Sequence, residues 1–361
     1  MNFKHSPVWV GMALACAAHT ASAQSNVTLY GLVDLNVTQY KAGGRAGGQT
    51  RTVMNDGTNN GLNGSRWGVR VNEDLGDGLK AQVVIEGGIN ADAGTSAQGG
   101  RAFGRQTFIS LSHATLGELR LGRQYILEDY VMGLTDPMGN ALVSNPSTGV
   151  TNLGRAIPLW LNAPRADNVV QYRTPTWGGF FAAAQVAPGE GSTDRFHGVS
   201  AGYLGGPLAV AFSYEWNKSR TTDDDTNKSL TIGANYNFGA FKILGGWQRN
   251  RDLTLGSGNG AASGVSNLTI NAGRAFVANR TDGATVGVEV PMGLFTYGAN
   301  YTRVKYEGTS ASADLGKAAL VARYAFSKNT QVYAGLSYAS GDLADYISEK
   351  RVANVGMRTS F

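Results

Sequence analysis

A two-residue alternation of apolar and polar side chains runs through most of this chain, and few folds can use it on such a scale. In the stretch from Val27 to Tyr40, one face carries Val27, Leu29, Val33, Leu35 and Val37, and the other Thr28, Tyr30, Asp34 and Asn36. The pattern returns in Leu208 to Trp216, in Leu230 to Phe238 and in the final stretch Val352 to Phe361. Such strands have one apolar and one polar face. In a soluble sandwich the apolar face points into a core, whereas in a membrane barrel it points to lipid and the polar face lines the lumen. Aromatic residues near strand ends, such as Trp67, Trp216, Phe238, Trp247 and Phe361, suit the second arrangement.

Connection lengths separate the two. Tight turns are expected at Gly76-Asp77-Gly78, Gly205-Gly206-Pro207, Gly239-Ala240, Pro291-Met292-Gly293 and Ser327-Lys328-Asn329. They alternate with long polar stretches: Ala42 to Gly64, Ala91 to Arg101, Lys218 to Asn227, Asp252 to Arg280 and Ala339 to Lys350. Short turns at one end and long loops at the other are the asymmetry of a bacterial outer-membrane barrel. The alternating segments number about sixteen, an even count that lets the first and last strands pair and leaves no open edge. The expected fold is therefore all-β, a 16-stranded antiparallel transmembrane β-barrel. No repeating blade signature supports a propeller. With 50 glycines in 361 residues, long helices and coiled coils are excluded.

The N-terminus has the form of a secretory leader: basic Lys4 and His5, the apolar run Val8 to Ala18 and the small-residue site Ala21-Ser22-Ala23. Residues 1–23 are thus expected as a signal peptide and 24–361 as the barrel. The single cysteine, Cys16, falls inside the leader, so the remainder can form neither a disulfide nor a thiolate metal site.

One connection is unlike the others. From about 125 to 163 there is no clean alternation, several prolines occur, and apolar Leu127, Val131, Met132, Leu134, Leu159 and Trp160 sit among Glu128, Asp129 and Asp136. A solvated tip does not need those apolar residues, so this stretch is expected to fold inward against the barrel wall.

These segments resemble a known family. "VTLYGLVDLNV", "GSRWGVRVNEDLGDGLKAQVVIEGG", "GRQTFISLSHATLGELRLGRQY", "DNVVQYRTPTWGGF" and the terminal "VGMRTSF" are similar, in this order, to the trimeric general porins of Gram-negative bacteria, in particular those of beta-proteobacteria. The resemblance implies a homotrimer of sixteen-stranded barrels whose third loop folds into the lumen and whose wall arginines face acids on that loop. Carried over, the arginines are Arg66, Arg105 and Arg165, and the loop acids are Glu128, Asp129 and Asp136. The family loop often carries Pro-Glu-Phe-Gly-Gly, where this chain reads Asp136-Pro137-Met138-Gly139-Asn140 and lacks the second acid. Strand parity puts Arg66 on the polar face with Gly68, Arg70 and Asn72, and Arg165 in phase with Asp167, Gln171 and Arg173. Arg105 has Thr107, Ile109 and Leu111 as parity mates, so the resemblance alone supports it.

No enzyme is legible. After the leader only His113 and His197 remain, each expected as a solvated imidazole, too few for Ser–His or Cys–His chemistry or for zinc. Asp223-Asp224-Asp225 reads as a solvated loop, no cofactor is implied, and the basic residues are too dispersed for nucleic acid. The expected function is passive diffusion of ions and small hydrophilic solutes through a water-filled channel in the cell outer membrane, in contact with lipid and lipopolysaccharide. The three arginines and the formal charge of +5 suggest a preference for anions. A substrate-selective uptake channel or a surface recognition or adhesin barrel is the alternative, but the inward faces, mostly Gly, Ala, Ser, Thr and Asn, show no aromatic track for a specific ligand.

Overall fold

The computed structural model describes residues 26–58, 60–137, 164–254, 269–271 and 275–361. The expected leader and most of the 125–163 connection lie outside the described residues.

Alternation produces a single closed antiparallel wall. Its strands are β1 (Asn26–Lys41), β2 (Thr50–Asp56), β3 (Arg66–Gly76), β4 (Leu79–Asn90), β6 (Gln106–His113), β7 (Gly117–Tyr125), β8 (Arg165–Arg173) and β9 (Phe180–Ala187), then β10 (Arg195–Gly205), β11 (Leu208–Lys218), β12 (Asp225–Asn237) and β13 (Lys242–Arg251). The wall finishes with β16 (Arg280–Met292), β17 (Phe295–Glu307), β18 (Ser312–Ala325), β19 (Thr330–Ser340) and β20 (Arg351–Ser360). Three short strands, β5 (Thr95–Ser96), β14 (Thr269–Asn271) and β15 (Ala275–Val277), form hairpins in connections expected only as loops.

Closure is made by β1 on β20, with Leu32 to Lys41 opposite Ser360 to Arg351. Gly31 and Phe361 exchange two backbone hydrogen bonds of 3.0 Å below that ladder. A Cβ on Gly31 would lie 2.5 Å from the Phe361 ring, so glycine is what lets this ring sit at the seam. The other edge of β1 is shared: its upper half pairs with β2 and its lower half with β3. β2 and β3 are therefore two lengths of one stave, and the wall has sixteen staves.

This corrects the expectation of one loop from Ala42 to Gly64. The chain turns after Lys41, returns as β2, leaves the wall at Gly57 and rejoins it at Arg66. We call Gly57–Ser65 the finger. It lies on the inward face of the wall, where Asp34 and Tyr40 of β1, Tyr333 of β19 and Asn354 of β20 meet it. The signal was weak because Thr-Arg-Thr-Val-Met-Asn-Asp has one large apolar residue on its outward face, Met54.

The polarity of the wall is inverted relative to a soluble protein. Asp34, Asn36, Thr38, Gln171, Gln185, Ser229 and Gln248 point inward and are buried, whereas Leu29, Val286, Leu320, Leu336 and Val355 point outward and are exposed. Only a lipid solvent makes that outward face favourable. At the short-turn end, outward aromatics pack together around the rim: Phe180 with Tyr203 at 4.8 Å, Phe238 with Phe241 at 4.9 Å, Phe295 with Tyr324 at 4.8 Å. Such girdles sit at the membrane–water interface. No helix among the described residues is long and apolar enough to cross a membrane.

Candidate functional site: an arginine cluster facing an inserted helical turn

On the wall of β3, β4, β6 and β8, three guanidinium groups meet. Arg66 opens β3 at the foot of the finger and lies within electrostatic reach of Arg105, Arg165, Glu86 and Tyr125. Arg105 Nε donates to Glu86 Oε1 at 2.7 Å, and its Nη2 donates to the Tyr125 hydroxyl at 2.6 Å. Arg165 Nη2 donates to the same hydroxyl at 2.6 Å, with its guanidinium 4.2 Å from the Tyr125 ring centre. Tyr125 thus accepts from two cations that would otherwise repel each other. Glu86 also accepts from Tyr30 at 3.1 Å.

The structure therefore brings Arg66, Arg105 and Arg165 together, but two of them arrive by routes that strand parity does not describe. Arg105 precedes β6, where Thr107, Ile109 and Leu111 face outward, and its side chain turns inward because regular alternation has not yet begun. In β8, Asn168 has a left-handed φ of 59°, and the β7–β8 register shifts between Gly122 and Gln124. Parity slips there, so Arg165 is not in simple phase with Gln171.

Opposite the arginines the described part of the third loop, Ile126–Pro137, enters the barrel. Leu127–Met132 is one helical turn, and Ile126 is buried with Ala166, Val169, Ala187 and Phe196. Met132 joins Val304, Tyr306, Leu315 and Leu343. A Cβ on Gly233 would lie 2.6 Å from the Val131 carbonyl, and one on Gly246 2.5 Å from the Thr135 methyl. These glycines let the segment rest directly on β12 and β13.

The three acids of this segment part company. Asp129 is the one that feels Arg165, Arg105 and Arg66, and burial lifts its carboxyl to about 6 against their pull. Glu128 points the other way, fully buried, accepting from Ser229 at 2.9 Å and from Gln248, while its backbone N–H donates to Glu215 at 2.9 Å. Burial, with Asp129 as a neighbouring negative charge, pushes Glu128 up to about 7. Asp136 is buried near Lys317 of β18, which also feels Glu349. Glu128 and Asp136 thus face the wall, and Asp129 faces the cluster.

Sequence reading missed Glu86 and Tyr125. Glu86 could have been found, because it shares the inward parity of Gln82 and Val84, opposite Val83 and Ile85. A further inward cation, Arg120, is held by Glu118 at 2.9 Å and by Tyr130 at 3.3 Å, over the Phe108 ring. The two histidines are engaged: His113 bonds the Asp77 carbonyl at 2.9 Å, and His197 stacks on Trp216. Among the described residues no three His, Cys, Asp or Glu side chains cluster as a metal site.

A closed sixteen-stave barrel with a lipid-compatible exterior, a polar interior and charged groups across its lumen defines a transmembrane channel of the outer-membrane type. The comparisons agree on which. The family model described as Gram-negative porin matches residues 11–343. An outer membrane porin protein of Bordetella pertussis is 31% identical, the match covering 96% of this chain and 97% of that protein. Outer membrane porin protein 32 of Delftia acidovorans is 34% identical over 67% of this chain and 69% of its own length. Among solved structures, the anion-selective porin from Comamonas acidovorans superposes with a TM-score of 0.71 at 25% identity, covering 94% of this chain and all of that one. OmpT of Vibrio cholerae, in a trimer form, shares the fold with a TM-score of 0.65 at 16% identity, covering 93% and 99%. The chain belongs to the Gram-negative porin family: it is an outer-membrane channel for diffusion and not an enzyme.

Proposed function

We propose that this porin is an anion-preferring general diffusion pore, working as a homotrimer, and that its narrowest point lies between the arginine cluster and the third loop. In this reading the described segment Ile126–Pro137 sets the constriction, Asp129 faces the cluster, and Glu128 and Asp136 hold the segment to the wall. Small hydrophilic solutes and ions are the cargo, and membrane lipid with lipopolysaccharide surrounds the trimer. The carrying observation is the meeting of Arg66, Arg105 and Arg165 on one wall with Glu86 and Asp129 as the two carboxylates beside them. Guanidinium groups stay charged at every working pH. Their field is focused in a narrow lumen walled by low-dielectric material. A net positive eyelet attracts anions, and the transverse field between cluster and Asp129 orients dipolar solutes. The anion-selective porin from Comamonas acidovorans and the trimer form of Vibrio cholerae OmpT lend support to the selectivity and to the assembly.

The test is the reversal potential of single channels in a potassium chloride gradient. The native protein should favour chloride. In Arg66→Ala with Arg165→Ala, loss of roughly 1 kcal/mol of electrostatic bias should reduce that preference about fivefold. An unchanged reversal potential would remove the cluster from the selectivity mechanism, and a native preference for potassium would remove the anion assignment.

A further inference from the structure

The short-turn half of the lumen has two unlike walls. Between the arginine cluster and the short turns, the inward faces of β1, β3 and β6–β9 carry guanidinium groups laid on aromatic rings. Arg70 of β3 lies 4.9 Å from the centre of the Tyr30 ring, Arg120 of β7 lies 4.2 Å from Phe108 of β6, and Arg173 of β8 lies 4.7 Å from Phe181 of β9. Arg165 on Tyr125, at 4.2 Å, heads the series within the cluster itself. The register sets them in descending order. Arg70 shares a transverse row with Val84 and Phe108, Arg120 stands opposite Ser110 one inward step nearer the turns, and Arg173 stands opposite Glu118 one step further. Tyr130, on the helical turn of the third loop, links the upper members. Its hydroxyl accepts from Arg120 at 3.3 Å, its ring meets Tyr125 edge-on at 6.4 Å, and it is 49% exposed inside the barrel.

The facing wall, β12 to β18, offers Gly233, Asn235, Thr296, Gly298 and Asn300 in the same half, with no inward aromatic ring there among the described residues. The other described contacts between a cation and a ring lie elsewhere. Arg45 on Tyr346 and Arg51 on Tyr40 belong to the long-loop end, and Arg249 on Trp247 and Arg351 on Tyr338 face outward. A guanidinium that lies on a ring has one flat face covered, and it keeps its N–H edge and its second face for a solute. Arg70 is exposed, and neither it nor Arg173 has an ion pair among the described residues. A small inorganic anion uses only the N–H edge. A planar anion that carries a ring uses both, stacking on a guanidinium or on Tyr130 while its charge meets the N–H donors.

We propose that this wall is a track for planar aromatic anions, aryl carboxylates being the simplest, which step between Tyr130 and Arg120 beneath the eyelet and Arg70 and Arg173 nearer the short-turn mouth. The inference rests on the anion-preferring reading above and adds a solute class to it. The channel stays a diffusion pore, because the contacts are repeated along an open wall and none of them encloses the solute. An aliphatic acid of the same charge and similar size reaches the same N–H groups but has no π face to lay on a guanidinium, so the ring alone separates the two.

The experiment inserts the protein extracted from outer membranes into planar bilayers and compares benzoate with cyclohexanecarboxylate as blockers of the single-channel potassium chloride current, at pH 7, where both acids are ionised. Benzoate should reach half-block at about a threefold lower concentration. Tyr130→Leu with Phe181→Leu, a variant whose folding its own conductance reports, should bring the two acids level. Equal block of the native protein overturns the track whether or not the variant folds, and so does a benzoate advantage that survives both leucine changes. The reversal potential in a potassium chloride gradient is read from the same channels. A chloride preference beside equal block removes the track alone, whereas a potassium preference beside a benzoate advantage removes the anion-preferring reading and leaves the recognition of the ring in place.

Discussion

Two segments enter this barrel, and they are fastened in opposite ways. The finger, Gly57–Ser65, is tied by hydrogen bonds to one carboxylate. Asp34 accepts from the Leu62 and Asn63 backbone N–H groups at 2.8 Å each and from the Tyr333 hydroxyl at 2.6 Å, while Ser65 Oγ bonds the Asp34 backbone. Apart from Leu62 against Tyr333 it has little apolar contact. The third-loop segment is wedged by apolar packing through Ile126 and Met132, with Glu128 buried as a polar spike between β11, β12 and β13. A nine-residue detour between two lengths of one stave has no room for a core of its own, so it relies on directional bonds. A longer loop can bring apolar side chains to the wall. The difference should show in how each segment fails.

The largest effect is expected from Asp34→Ala. It leaves three donors without their acceptor in a buried place, at a cost of about 4 kcal/mol. The unfolding midpoint in detergent should fall, and the released finger should add noise to the open-channel current. A silent Asp34→Ala would mean that the finger is held by something else. Met132→Ala comes next, at about 3 kcal/mol from lost burial and the residual cavity. It should loosen the third loop and leave the finger in place, as limited proteolysis can read.

Glu128 gives a smaller, pH-dependent contrast. The folded chain holds its proton more tightly than an unfolded chain does, because burial and then the nearby Asp129 carboxylate oppose ionisation. Its share of stability is therefore complete below the ordinary carboxyl range and is lost as pH rises to about 7. Glu128→Gln should remove that dependence and be more stable than the native protein at pH 8, by about 1–2 kcal/mol. A native melting temperature that does not change between pH 5 and 8 would contradict it. The smallest effect belongs to Asp129: as pH falls through about 6 its carboxylate is neutralised, and anion preference should rise roughly twofold. In Asp129→Asn that rise should be absent from the reversal potential.

The wall was legible in the sequence because each strand repeats the same decision, apolar out and polar in, and errors in one strand are corrected by its neighbours. Arg66 followed from that rule. What escaped lies where the rule is suspended. β2 shows one large outward apolar residue, so it read as loop. Arg105 sits one residue before its strand settles, and Asn168 throws β8 out of phase before Arg165 can be placed by counting. The three acids of the third loop lie on a helical turn and its exit, where a two-residue period says nothing about direction. Family resemblance reached those residues and parity could not. It did not separate Asp129, which faces the arginines, from Glu128 and Asp136, which face the wall.

The divided second stave has a consequence for how such a channel can vary. The half above the break is registered against the upper part of β1 and the half below against the lower part, so each keeps its own alignment. Residues could be added to the intervening detour, or taken from it, without sliding a single rung of the wall. A barrel built in this way can change its bore by editing one short peptide, while its girth and its fit to the bilayer stay as they are.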